Sequence, residues 1–91
     1  MNDEMILEML KVDLQLTSDA YDVRLQSIIE AAKNDIRREG VTNLNTASSV
    51  ADANLVIMYA AWLWSKRDTM EAMPRMLRWK LNNRVFGVKM Q

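Results

Sequence analysis

Five cations gather towards one end of this chain, Arg75, Arg78, Lys80, Arg84 and Lys89. Such a cluster can neutralise phosphates or meet an acidic protein face. Base-reading proteins add strong net positive charge and a recognition motif, whereas here 12 bases balance 12 acids. A helix–turn–helix needs a tight turn, and residues 68–74 read as a longer linker. Catalytic chemistry has less to work with. There is no His and no Cys, so the usual general base and the thiol nucleophile are missing. Glu4 and Glu8 share a helix face that reads as solvated. No Gly-rich phosphate loop or metal-ligand cluster is present. The expectation is a non-enzyme with no cofactor and no metal.

The aromatic and sulfur side chains point to contact surfaces. Trp62 and Trp64 stand about 200° apart on a helix, so they cannot both face one core. Trp79 falls off the apolar stripe of its helix, beside Met76 and Lys80, and tryptophan is enriched at interfaces. Eight methionines include Met1, Met5 and Met9 one turn apart, and Met70, Met73 and Met76 three apart. Methionine fills irregular gaps and suits surfaces that repack. Both clusters lie where a partner can dock.

The elements that position these groups read as helices. Met5, Ile6, Met9 and Leu10 recur at helical spacing after Asn2 or Asp3, either of which can cap a short helix. Val12 to Thr17 alternates like a strand but has no second strand to pair with, so it reads as an extended connector. Ser18 or Asp19 then caps a helix over 19–39, with Tyr21, Leu25, Ile28, Ile29, Ala32 and Ile36 on one face. Arg37 and Arg38 suit its last turn, and Gly40 stops it. Residues 41–48 form a polar loop. Ser49 and Asp52 resemble a capping box for a helix from about Val50 to Arg67. That helix is apolar on every side from Ala53 to Trp64, so other helices or another copy must cover it. Pro74 suits the first turn of a last helix with Met73, Leu77, Leu81 and Val85 inward. Phe86 to Gln91 reads as an extended tail.

At 91 residues the chain forms one domain, residues 1–91, and buries only about 60–65% of its unfolded surface. Two glycines and one proline are too few for a turn-rich β-fold. The absence of cysteine suits a reducing compartment. The acidic start lacks the look of an export signal, and the central apolar run is short of a membrane span. A soluble intracellular protein is expected. The neutral total hides an asymmetry: residues 1–39 carry nine acids and five bases, and residues 40–91 carry three acids and seven bases. Opposite halves of opposite sign favour head-to-tail contact between identical copies.

The order of motifs resembles a known family. It is carried by Asp22-x-x-Leu25-x-x-x-Ile29-x-Ala31-Ala32 with Ile36 and Gly40, then Ala60-x-x-Leu63-x-x-x-Arg67, then Met73-Pro74 and Asn83-Arg84. This is similar to the small head–tail connector (head-completion or DNA-packaging) proteins of tailed bacteriophages. The resemblance implies an all-α fold and a ring of about twelve copies below the portal protein. Such a ring extends the DNA channel and offers a docking surface to tail or stopper proteins. DNA passes through without sequence-specific binding, no membrane is involved, and no catalytic residue comes with the family. The implied location is the virion head–tail junction, after synthesis in the host bacterial cytoplasm.

The sequence therefore predicts an all-α bundle of about four helices, one short, two long and one C-terminal, followed by an extended tail. Leu25, Ile28, Ile29, Ala32, Ile36, Val56, Ala60, Leu63, Leu77 and Leu81 are its candidate core. Trp64, Met70, Met76, Trp79, Arg75, Arg78, Arg84 and Phe86 are its candidate subunit or partner interface. The alternative function is a small helical DNA-binding or regulatory module using Arg75, Arg78, Lys80 and Arg84, and a dimeric helical adaptor is a third.

Overall fold

The computed structural model describes residues 1–67 and 71–89. Among them are four α-helices and no strand: α1 (Asp3–Asp13), α2 (Asp22–Arg38), α3 (Val50–Lys66) and α4 (Arg75–Lys89), with a 3-10 turn at Asp19–Tyr21. α2 and α3 form the most extensive helix contact, and α1 and α4 each pack on α3.

Each boundary has a local cause. Asn2 caps α1 by accepting the Met5 N–H at 2.8 Å. The helix absorbs Val12 and Asp13, which the sequence assigned to an extended connector. Without a partner strand, a helical turn is the local way to satisfy those amides. It closes as Gln15 N–H donates to Val12 and Leu16 N–H to Lys11, with Gln15 at φ 58. The expected helix over 19–39 opens as the 3-10 turn, capped by Ser18 through the Ala20 N–H, before α2 proper. α2 ends with the same double closure: Gly40 donates to Arg37 and Val41 to Ile36, with Gly40 at φ 124.

Ser49 Oγ accepts the Asp52 N–H at 3.1 Å and so starts α3. Ala32, Ala53 and Ala60 are fully buried, and such small side chains let helix axes approach closely. Pro74 stands just before α4, and its carbonyl accepts the Arg78 N–H. The extended tail expected from Phe86 is helical as far as Lys89. Val85 and Val88 pack against the core there, which offsets the roughly 1 kcal/mol that Gly87 costs inside a helix. Met90 and Gln91 lie outside the described residues.

The cover of α3 comes largely from its own chain, with Met58, Ala61, Trp62, Leu63 and Trp64 left half-buried. Ala53, Leu55, Val56, Ile57, Tyr59 and Ala60 are buried within one chain, without a second copy. Nine of the ten core candidates are buried. Leu63 is the exception, half-buried at the core's edge. No helix among the described residues is long and apolar enough to cross a membrane.

Candidate assembly surface

α4 divides cleanly into two faces. Leu77 and Leu81 are buried, with Val85 and Val88 packed beside them. On the opposite side stand Trp79 and Phe86, 62% and 63% exposed, with Arg75 one turn before Trp79. Seven residues is about two turns, so the two positions fall on one line of the helix, about 10 Å apart along its axis. Met76, also exposed, flanks them. Trp79 walls two hollows. One is a groove of about 390 Å³ shared with Ala51, Asn54 and Asn83, floored by Asp52 and Arg84. The other is a shallow dish formed with Arg75 and Met76.

A second apolar stripe lies on α1. Ile6, Leu7 and Leu10 face the core, while Met5, Met9 and Val12 recur at i, i+4 and i+7 on the outside. Glu4 and Glu8 line the same shallow surface as Met5 and Met9. The sequence marked the methionines, but Val12 was lost in the supposed connector. Two apolar stripes on one helix were the available signal.

Several interface candidates serve the chain's own fold instead. Arg84 Nε is 2.7 Å from Asp52 Oδ1, and its Nη2 donates to Asp52 Oδ2 and Asn43 Oδ1. Arg78 donates to Glu39 Oε2 at 2.7 Å. Trp64 meets Tyr21 edge to face with centroids 5.5 Å apart, and the Arg67 guanidinium lies 3.8 Å from its ring. Trp62 meets Tyr59 likewise, donates to the Glu71 carbonyl and carries Lys66 over its ring. Both tryptophans are half-buried and pack against the core's edge, and neither lies wholly inside it, as two rings about 200° apart on one helix require of at least one. Met70 lies outside the described residues. Of the eight candidates, Arg75, Met76, Trp79 and Phe86 remain on the open face.

The polar network explains which charges are spent internally. Burial pushes the Asp52 carboxyl up, but the Arg84 guanidinium and the Asn45 N–H together outweigh it and hold it below the ordinary value. Sequence reading treated Asp52 only as a cap; its Arg84 contact depends on α4 docking. Lys11 is buried between Asp19 at 2.8 Å and Asp22 at 3.0 Å, and these partners raise its pKa. Asp19 contributes most to this shift and Asp22 next. Lys33 reaches Asp3 on α1 at 2.9 Å; burial alone would lower its pKa, and the carboxylates reverse the shift. Burial, then the charges of Asp35 and Glu39, raise the Tyr59 phenol.

No group of His, Cys, Asp and Glu among the described residues could hold a metal ion. The chain finds no match among known family models, curated proteins or solved structures.

Proposed function

We propose that this chain is a structural building block, one subunit of a ring that joins head to tail in a tailed bacteriophage. It extends the DNA channel below the portal protein and presents a docking surface to tail or stopper proteins. The carrying observation is the outer face of α4, where Trp79, Met76 and Phe86 are exposed on a helix whose opposite side is already packed. Exposed aromatics in line are the anchors of protein contacts, and their burial yields far more than that of scattered surface groups. The family resemblance of the sequence supplies the phage setting.

The DNA-binding alternative loses support from the geometry. Arg78 and Arg84 are engaged by Glu39 and Asp52 within the chain, leaving Arg75 and Lys80 of that set free of ion pairs among the described residues. An overall neutral chain, with 12 bases against 12 acids, also suits a conduit that must not hold DNA, since few counterions would be released on contact.

The test is native mass spectrometry and electron microscopy of the protein, alone and mixed with the portal protein of its own genome. A ring of many copies, free or on the portal, is the expected result. A protein that stays monomeric and leaves the portal bare overturns the proposal.

A further inference from the structure

Resting on that self-assembling reading, we infer that the outer face of α4 in one copy docks on the outer face of α1 in the next. Trp79, Phe86 and Arg75 meet Met5, Met9 and Glu8.

Three observations converge on this pairing. Both stripes are apolar and turned away from the core: Met5, Met9 and Val12 are 51%, 42% and 69% exposed. Their pitch matches, since Met5 to Val12 and Trp79 to Phe86 each span seven residues, or about 10 Å of helix. Flexible methionines mould themselves to flat rings, and sulfur–aromatic contact is favourable in itself.

The charges decide between possible partners. Glu4 and Glu8 beside the α1 stripe form no ion pair among the described residues, nor do Arg75 and Lys80 beside the α4 stripe. An α1-to-α1 contact would bring acid against acid, and α4-to-α4 would bring base against base. Only the mixed pairing sets opposite signs together.

The placement of the helices makes the contact repeat. α1 and α4 both lean on α3 and share no comparable contact with each other, so each copy keeps one face of each kind available. A contact between unlike faces is heterologous: it propagates from copy to copy and closes into a ring when the rotation permits. An ordinary interface needs about 800 Å² per partner, a modest share of this chain's 5916 Å².

The test uses two face-specific variants of the full chain, Met9→Glu and Trp79→Glu, each checked for unchanged melting by circular dichroism. Assembly is followed by sedimentation and native mass spectrometry, on the portal if wild type needs that template. Each variant alone is expected to lose association about thirtyfold or more. Mixed, they should form discrete heterodimers, because one retains a good α4 face and the other a good α1 face. The double charge reversals Glu4→Lys/Glu8→Lys and Arg75→Glu/Lys80→Glu should each weaken wild-type assembly, and their mixture should recover part of it. If wild type forms rings that both Glu variants still form, the pairing is wrong while the ring reading stands. Variants that lose only portal binding assign these faces to the portal and overturn the inference. A wild type monomeric with and without portal overturns both.

Discussion

Arg84 on α4 grips Asp52 in the first turn of α3, with Nε 2.7 Å from Oδ1 and Nη2 3.1 Å from Oδ2. The same guanidinium reaches Asn43, and Asp52 also accepts the Asn45 N–H. One buried carboxylate thus ties α3, α4 and the 41–49 loop together. The grip fixes the side of α4 that faces inward, and with it the side that presents Trp79.

Asp52→Asn should cost about 2–3 kcal/mol in urea unfolding. This is below the usual loss for breaking a buried pair, because the Arg84 side chain keeps 24% of its surface in water. The pH response follows from the direction of the shift. Asp52 is depressed from its ordinary 3.8, so its contribution is fully present above that pH and is lost as pH falls towards the folded value. Wild type should lose stability on acidification below about pH 4 more steeply than Asp52→Asn. Parallel acid curves would remove Asp52 from this role.

Lys11 predicts the opposite limb. A raised lysine contributes fully below its ordinary 10.5, and the contribution fades only as pH climbs beyond that range. Melts should therefore hold this contribution at neutral pH, with Lys11→Met removing it. In that variant the Asp19–Tyr21 turn loses its tether to α1, and its amides should exchange hydrogen faster than those of α2. Unchanged exchange would count against the tether.

The two glycines should respond with opposite signs. At Gly40, φ 124 disfavours any side chain, and an added Cβ would sit 3.1 Å from Val85 Cγ1. Gly40→Ala should cost more than about 1 kcal/mol. At Gly87 an added Cβ meets nothing within 4 Å on a helix, so Gly87→Ala should stabilise by about 0.5–1 kcal/mol. Thermal melts of the two variants check both signs.

Core and surface should separate in the same manner. Ile29→Ala empties a site that is 3% exposed and should cost about 2–5 kcal/mol. Trp79→Ala should leave unfolding within about 0.5 kcal/mol and act on association instead. The reverse ranking in urea titrations would show that core and surface had been exchanged.

Much of the fold was legible from periodicity. Leu25, Ile28, Ile29, Ala32 and Ile36 fall on one helical face whatever the surroundings, and Gly40 ends that helix for a backbone reason. The tail was misread because Gly87 lowers helix propensity locally, while Val88 gains contact only once α4 docks. Val12 was misread because a short apolar alternation fits a strand and a helix end equally well. Of the open face, Trp79, Met76, Arg75 and Phe86 were named from residue type and position, yet Arg84 and Trp64 were named with them.

Sequence alone determined that this chain forms helices, where most of them stop, and which stripe of α2 is buried, since those properties depend on neighbours three and four residues away. Tertiary structure decided which charges are spent inside: Asp52 and Arg84 are 32 residues apart, and no local pattern carries their distance. It also showed that the most exposed apolar side chains stand on the outer sides of α1 and α4, while α3 is mostly covered. Burial is a property of how helices pack: three neighbouring helices enclose the apolar residues of α3 from Ala53 to Ile57 and at Tyr59 and Ala60, and leave its last turns half-buried.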